Sequence, residues 1–294
     1  MKRRAFAAGT LAAVSGLRGV AFAQDIDTKL AQLEETSGGR LGVAVFDAHG
    51  VQRVSYRPGE RFLMCSTFKL LAVADVLARV DAGTLRLEHR MHYSKDDLLE
   101  YAPVTRANVG RGWMTMRELC AAAIELSDNT AANLILKRVG GPAGMTRYVR
   151  SVGDHYTRLD RIEPYLNRPT PGDSRDTTTP EAMGFDAYRL LLRDQILSAR
   201  SRAMLTDWMR RSTTGLDLLR AGFPASWRAG DKTGLGGGHT PNGDNDTRND
   251  VAIVWPPGRS PFIASVYLTD VTVAAEKRDA VLADVARAIV GMKW

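Results

Sequence analysis

Hydrophobic residues recur along the chain with two different spacings, and the two spacings mark different parts of the sequence. Residues 41–56 alternate between apolar and polar positions around Gly50, which predicts a β-hairpin. From residue 66 to about residue 219 the spacing becomes helical, with interruptions at Gly and Pro. The clearest predicted helices of this part cover residues 66–77, 116–126, 130–139, 182–197 and 202–209.

Strand patterns return near the end of the chain, at residues 226–232, 250–255 and 262–268, and a last helix is predicted over residues 273–290. The four residues 255–258 are too few for a crossover, so the strands beside them should pair antiparallel. These elements predict an α/β fold (an α+β sandwich), with an antiparallel sheet from the N- and C-terminal segments flanked by helices. An all-helical domain is inserted into it.

The same pattern divides the chain into segments. Residues 24–61 and 212–294 are predicted to form one discontinuous α/β domain. Residues 62–211 form the all-helical domain, which carries the helix beginning near Ser66 and a polar loop around Glu163. Residues 1–23 have a basic head, a run of small apolar residues and the cleavage pattern Ala21-Phe22-Ala23, so we expect them to be removed as a signal peptide.

The predicted signal peptide indicates where the protein is located. The signal peptide predicts a periplasmic protein, and the pair Arg3-Arg4 leaves both the twin-arginine route and the general secretory route open. No other apolar run reaches the length of a membrane span, so we expect no membrane association after cleavage.

Charge and histidine content limit the class of partner. The formal net charge of +7 falls to +3 when residues 1–23 leave, because they carry four basic residues and no acid. That is too little for a nucleic-acid partner but suits a small anionic substrate. The five histidines show no metal-ligand spacing, so we expect no metal site.

The first candidate for chemistry is the pair Ser66 and Lys69. Residues three apart share one face of a helix, so the lysine amine should reach the serine hydroxyl. A lysine in an apolar helix can be tuned to activate a serine nucleophile. The alternative is that Ser66 only caps a core helix and Lys69 extends to solvent.

Three further stretches have both a structural and a chemical interpretation. Ser127-Asp128-Asn129 lies between two helices and has the residues of a helix N-cap. Lys232-Thr233-Gly234 leaves a strand for a glycine-rich turn. Residues 161–167, continuing to residues 176–180, form a long polar loop with little periodicity, which is either functional or a solvated surface loop.

Taken together and in this order, Ser-x-x-Lys, Ser-Asp-Asn and Lys-Thr-Gly resemble the signature of class A serine β-lactamases and penicillin-binding proteins. The loop from Glu163 to Asn167 resembles the class A enzymes, and residues 251–258 resemble their extended-spectrum cephalosporinase-like branch. The resemblance covers nearly the whole chain after residue 23. Its blocks are residues 99–105, 127–133, 153–155, 157–163 and 230–234.

The resemblance implies hydrolysis of penicillins and cephalosporins through a serine acyl-enzyme, giving antibiotic resistance. Ser66 attacks the lactam carbonyl, and its own N–H and that of Leu235 form the oxyanion hole. Glu163 and Asn167 hold the water that hydrolyses the ester. Whether Lys69 or Glu163 takes the first proton is open for this family.

Ser127 would then pass a proton to the departing ring nitrogen, beside Lys69 and Lys232. Tyr101 would line the mouth of the cleft, Asn129 would bind the side-chain amide of the substrate, and Arg248 would help to hold its carboxylate. The resemblance also implies no cofactor, no metal and a monomer. The residues implied to bind substrate are Tyr101, Asn129, Asn167, Lys232, Thr233, Gly234, Leu235 and Arg248.

Two other implications concern the loop and its surroundings. Arg161 and Asp176 should close the neck of the loop as an ion pair, and the Glu163–Pro164 bond is a candidate cis peptide. The connection over residues 235–246 is longer than is usual in the family, which makes the position of Arg248 less certain. Two alternatives remain open at this point, because an enzyme of another kind, a penicillin-binding D,D-peptidase, and a non-enzymatic, non-hydrolytic β-lactam sensor would share the motifs.

The two cysteines sit where family members have one half of a disulfide, but neither usual partner position holds a cysteine. Cys65 should face Gly236, and Cys120 should face Val73. A bridge needs Cα atoms within about 7 Å. We therefore expect Cys65 and Cys120 to be reduced, buried and inert.

Overall fold

The structure is a computed structural model, and it describes residues 14–169 and 172–292. Part of the predicted signal peptide, residues 1–13, lies outside the described residues. Residues 14–23 belong to the first helix. The described helices are α1 (Val14–Ser37), α2 (Phe68–Asp81), α3 (Pro103–Asn108), α4 (Met116–Glu125), α5 (Asn129–Val139), α6 (Gly141–Ser151), α7 (Pro180–Leu191), α8 (Ala199–Arg211), α9 (Leu219–Gly222) and α10 (Ala275–Val290).

The strands fall into one large sheet and two small ribbons. The large sheet has the order β2-β1-β9-β8-β7, and every neighbouring pair is antiparallel. The strands are β1 (Arg40–Phe46), β2 (Gln52–Tyr56), β3 (Phe62–Leu63), β4 (Arg90–His92), β5 (Trp113–Thr115), β6 (Thr177–Thr178), β7 (Arg228–His239), β8 (Asn245–Trp255) and β9 (Phe262–Thr269). The predicted fold class and the predicted hairpin are confirmed.

Alternation along the strands separates two hydrophobic cores. One core lies on the side of the sheet that α1 and α10 cover, and Leu41, Val43 and Val45 of β1 pack into it. The other core lies beneath α2, α4, α5 and α7, and it includes Ala44 and Phe46. This is the period-two pattern of a strand with both faces covered. Helix α2 is buried along ten consecutive residues, 68–77, so it is the central helix of the second core.

Helix α7 ends earlier than the apolar spacing predicts. It stops at Leu191 instead of residue 197. Leu197 is buried in the core all the same, but it packs there from the loop that follows the helix. Spacing alone does not distinguish these two ways of burying a leucine.

Strands β7 and β8 are longer than predicted. The stretch over residues 235–246 is mostly strand, since β7 continues to His239 and β8 begins at Asn245. Only residues 240–244 form the connection, so the prediction of a long loop is wrong. The glycines at 236–238 favour a loop by composition, whereas Gly236 pairs with Thr247 of β8 and the register is irregular from there to His239, with Gly237 at a φ of +89°.

The division of the chain into two domains stays a prediction. Residues 62–211 hold helices α2 to α8, and they also hold the ribbons β3–β6 and β4–β5, whose two- and three-residue strands are too short for periodicity to reveal. Within the described residues no helix is long and apolar enough to cross a bilayer.

Candidate active site

A cleft of about 550 Å³ opens beside β7, the edge strand of the sheet, and next to the 3₁₀ turn Cys65–Thr67. Eight of the twelve predicted site residues line it. Three others, Lys69, Glu163 and Lys232, are buried behind its wall. The cleft is lined by Ser66, Tyr101, Leu126, Ser127, Asn129, Asn167, Thr213, Thr214, Thr233, Leu235 and Arg248.

Ser66 lies in the turn that leads into α2, one turn before the α-helix proper. Cys65 before it has φ of +45°, a conformation that is uncommon for a residue with a side chain. Ser66 is only 8% exposed. Its hydroxyl donates a hydrogen bond to Glu163 Oε1 at 3.3 Å.

Lys69 is the centre of a buried polar cluster. Its ammonium donates to the Ser127 carbonyl oxygen at 2.8 Å and to Asn129 Oδ1 at 2.6 Å, and it lies 3.0 Å from Glu163 Oε1. The predicted direct bond to Ser66 is not among the hydrogen bonds of either side chain. The two residues are linked through Glu163 instead, because both contact the same carboxylate oxygen.

Burial lowers the pKa of Lys69, and the carboxylate of Glu163 acts in the opposite direction. Both side chains of this pair are fully buried. A buried ion pair is expensive to desolvate and is kept only with good geometry and further hydrogen bonds, which Ser127 and Asn129 supply.

The Ser127-Asp128-Asn129 turn combines the two interpretations that the sequence left open. Asp128 is the N-cap of α5: its carboxylate accepts from the Ala131 N–H at 2.8 Å. Ser127 and Asn129 line the cleft on either side of it. Ser127 has φ of +56°, so its backbone is strained at the point where its hydroxyl meets two lysines.

Lys232 approaches Ser127 from the sheet. Its ammonium donates to Ser127 Oγ at 3.0 Å, and Lys69 donates to the same oxygen at 3.3 Å. Burial, and then the charge of Lys69, lower the pKa of Lys232 well below its usual value. Two lysine side chains thus converge on one hydroxyl.

Glu163 is held by its own loop and by α5. Asn167 Nδ2 donates to Glu163 Oε2 at 2.6 Å. Asn133 fixes the backbone of Glu163 at both ends, since its Nδ2 donates to the Glu163 carbonyl and its Oδ1 accepts from the Glu163 N–H, each at 3.0 Å. The Glu163–Pro164 bond is cis, as the resemblance implied.

The neck of this loop is closed by the predicted ion pair. Arg161 Nε lies 2.5 Å from Asp176 Oδ2, and Asp176 is fully buried. The other oxygen of Asp176 accepts from the N–H groups of Asp160 and Arg161. One carboxylate therefore joins the two ends of the loop.

Close packing explains the glycine of Lys232-Thr233-Gly234. A Cβ built on Gly234 would lie 2.8 Å from the Met64 carbonyl oxygen, and one on Gly236 would lie 2.9 Å from Cys65 Sγ. Cys65 therefore does face Gly236, as expected. Thr233 is fixed by a hydrogen bond of 2.7 Å between its hydroxyl and that of Thr214.

Arg248 lines the cleft where the resemblance places it, because the register pairs it with Leu235. Its guanidinium is already engaged. Nη2 donates to the Thr214 carbonyl at 3.2 Å, and Nε lies 3.4 Å from Asp279 without forming a hydrogen bond. Burial lowers the pKa of Arg248 despite the nearby acid.

Sequence reasoning missed four residues of the site. Asn133 carried a usable signal, since it is four residues after Asn129 and so lies on the same face of α5. Leu126 lines the cleft directly before the Ser127-Asp128-Asn129 motif, and Thr213 and Thr214 line it from a segment whose sequence contains no motif. Only the fold brings them there.

A serine hydroxyl, a buried lysine and a buried carboxylate at the wall of one cleft can form and hydrolyse a serine ester. A family model described as the β-lactamase enzyme family matches residues 25–292. A β-lactamase of Amycolatopsis lactamdurans is 46% identical over 268 residues, covering 90% of this chain and 84% of that protein.

Two further comparisons agree. The β-lactamase CTX-M-8 of Citrobacter amalonaticus is 44% identical, covering 92% of this chain and 89% of that protein. A solved structure of an ancestral class A β-lactamase, GNCA, is 55% identical with a TM-score of 0.84, covering 90% of this chain and 98% of that one. The chain belongs to the β-lactamase enzyme family and is a class A serine β-lactamase, which hydrolyses β-lactams and so gives resistance to them.

Proposed function

We propose that Ser66 is the nucleophile that opens the β-lactam ring and that Glu163 is the base that accepts its proton. The observation that carries this assignment is the hydrogen bond from the Ser66 hydroxyl to Glu163 Oε1. Lys69, as an ammonium, has only donors to offer, and it holds the same carboxylate oxygen in place. The N–H groups of Ser66 and Leu235 stabilise the oxyanion, each contributing about 3–4 kcal/mol.

The same carboxylate serves the second half of the reaction. Asn167 Oδ1 is buried and has no hydrogen-bond partner among the described residues, while Asn167 Nδ2 holds Glu163. A water bound between these two side chains satisfies that oxygen and stands next to the ester on Ser66. Glu163 then removes its proton as it attacks.

Ser127 gives its proton to the departing ring nitrogen and takes one back from Lys69. Lys69 in turn takes the proton that Glu163 received from Ser66, so Glu163 is a carboxylate again before the second step. The Ser127 hydroxyl accepts from both Lys69 and Lys232, so its own hydrogen is directed away from them. Asn129 Oδ1 is occupied by Lys69, which leaves Nδ2 to donate to the side-chain amide of the substrate. Lys232, Thr233 and Arg248 hold the substrate carboxylate.

The substrates are penicillins and cephalosporins, with extended-spectrum cephalosporins among them. The likeness of residues 251–258 to that branch and the similarity to CTX-M-8 support this range. The enzyme acts as a periplasmic monomer without cofactor, metal or membrane association, which the signal-like residues 1–23 and the mild charge support. Glu163 separates it from D,D-peptidases and sensors, which lack a deacylating carboxylate.

A spectroscopic panel of one penicillin, one extended-spectrum cephalosporin and one carbapenem tests the proposal. We expect rapid hydrolysis of the first two, and loss of several orders of magnitude in kcat for Ser66→Ala. Ser151→Ala, which removes an exposed serine of α6, is the matched control and should retain full activity. A Ser66→Ala enzyme that still hydrolyses the penicillin would refute the nucleophile, and a wild type inactive on the cephalosporin would refute the substrate range.

A further inference from the structure

A second cavity, of about 380 Å³, lies on another part of the surface. It is bounded by the β1–β2 hairpin, the segment that follows α6 and the first turns of α7. None of its described lining residues also lines the cleft at Ser66. The reaction proposed above makes no use of it.

Two buried acids line this cavity side by side. Asp154 is 6% exposed and Asp186 is 2% exposed. One oxygen of Asp154 accepts from the N–H groups of Tyr156 and Thr157. The Oδ2 atoms of both acids are buried without a hydrogen-bond partner among the described residues, and the two carboxyl groups are close enough to share a proton.

The charge of the pair follows from its surroundings. Burial, and then the charge of Asp154, raise the pKa of Asp186 well above its usual value. Arg189 on α7 and Arg150 on α6 act in the opposite direction but do not cancel the shift. The raised pKa shifts Asp186 toward its protonated form, which lets it donate to Asp154, and Glu181 is a third acid in the lining.

Aromatic rings form the wall and the rim. Phe185 is 40% exposed, with its ring centroid 5.6 Å from that of Phe46 and 5.7 Å from that of Tyr188. Tyr156 at the rim is 56% exposed. Exposed aromatic faces above a buried negative charge attract a cation with an apolar body, through cation–π contact and apolar burial together.

We propose that this cavity is a binding site for a small organic monocation with an aromatic body, of the aryl amidinium or aryl ammonium class. The ring packs against Phe46 and Phe185, and the cationic N–H groups donate to the carboxyl pair. An amidinium offers two parallel donors, which matches two neighbouring carboxyl groups.

Binding here should stabilise the folded protein. Asp154 fixes Tyr156 and Thr157 by its hydrogen bonds, and the Thr157 hydroxyl bonds to that of Thr178 at 2.6 Å, beside the end of the loop that carries Glu163. A ligand that binds only the folded state raises the melting temperature by mass action. The effect should grow with ligand concentration.

Benzamidine is the probe, with the neutral isostere benzamide as its control, and binding is measured by calorimetry and by thermal melting. We expect benzamidine to bind the wild type with a Kd of about 1 mM or below and to raise its melting temperature, and benzamide to do neither. Asp186→Asn keeps the shape but removes the carboxyl group that can ionise when the cation binds, so it should weaken binding at least about tenfold. Asp27→Asn, which removes an exposed carboxylate of α1, should leave it unchanged.

A second variant locates the ligand independently of charge. Phe185→Leu should weaken benzamidine binding while cephalosporin turnover stays at the wild-type level, since Phe185 does not line the cleft. Absence of benzamidine binding to the wild type would overturn the proposal. Equal affinity of the wild type and Asp186→Asn would overturn it as well, because the ligand would then bind elsewhere.

Discussion

Three consecutive residues, 127–129, both cap a helix and form part of the site. Asp128 caps α5, while its neighbours Ser127 and Asn129 face the cleft and the buried lysines. The capping bond sets the direction of the two functional side chains. A sequence that offers both a structural and a chemical explanation for one turn can therefore satisfy both.

At this scale the motifs predicted the participants well but not their contacts. Ser66, Lys69, Ser127, Glu163 and Lys232 do meet. Helical spacing, however, suggested a direct Ser66–Lys69 bond, and the structure joins them through Glu163, which is 94 positions further along the chain than Lys69. Spacing reports only neighbours on one helix, so a partner from a distant loop is invisible to it.

Asn133 gives a prediction at the residue scale. Asn133→Ala removes both hydrogen bonds to the Glu163 backbone and leaves one donor and one acceptor there without their partner. We expect a loss of about 1–3 kcal/mol in the free energy of unfolding, with deacylation slowed because Glu163 is no longer fixed. Urea denaturation and single-turnover kinetics measure the two effects. Asn108→Ala, on α3, should change neither, and equal behaviour of the two variants would contradict the role.

Elements bring these residues together, and the loop of Glu163 shows how. Asp176, with φ of +58°, accepts hydrogen bonds from the N–H groups of Asp160 and Arg161 and pairs with the Arg161 side chain. The loop is therefore closed at its base by one buried carboxylate. Its shape does not depend on helical or strand hydrogen bonding.

Breaking the neck should affect stability and turnover together. Arg161→Ser leaves the buried carboxylate of Asp176 without its charged partner, and we expect a loss of about 1.5–3 kcal/mol in the free energy of unfolding, with lower kcat for small penicillins. Arg168→Ser is the matched control, because Arg168 is an exposed arginine of the same loop. A thermal melt and a penicillin assay that show no difference between the two variants would contradict the predicted closure.

Element boundaries followed the sequence where packing and propensity agreed. The hairpin, α4 and α5 were predicted within a residue or two. The extension of β7 through Gly236 was not, because glycine has low strand propensity and only pairing with β8 and contact with Cys65 keep that segment extended. Tertiary contacts of this kind cannot be predicted from the periodicity of hydrophobic residues.

The whole molecule is organised as a sheet between two cores, with the cleft at the edge strand. Fold class was predictable because the strands at the two ends of the chain alternate and the intervening helices do not. The second cavity and the residues Thr213 and Thr214 were not predictable, since they depend on how separate segments meet in space. Both cysteines are buried deep in this assembly.

Thiol chemistry tests that packing. Burial raises the pKa of Cys65 and of Cys120, so neither is a thiolate near neutral pH. We expect no reaction of the native protein with a thiol reagent, and two free thiols per chain in denaturant without reductant. Rapid labelling of the native protein would contradict the burial, and a count of zero in denaturant would show a disulfide.

The most direct test of the central claim is intact-mass spectrometry of Glu163→Ala mixed with a good penicillin. The claim is that Glu163 is the base of both steps, since it accepts the proton of Ser66 during acylation and activates the water that hydrolyses the ester. Because Glu163→Ala lacks the base of both steps, we predict that the adduct of one whole penicillin at Ser66 forms more slowly than in the wild type and then persists, with steady-state turnover reduced by several orders of magnitude. Turnover equal to that of the wild type, with no adduct on Ser66, would contradict the account.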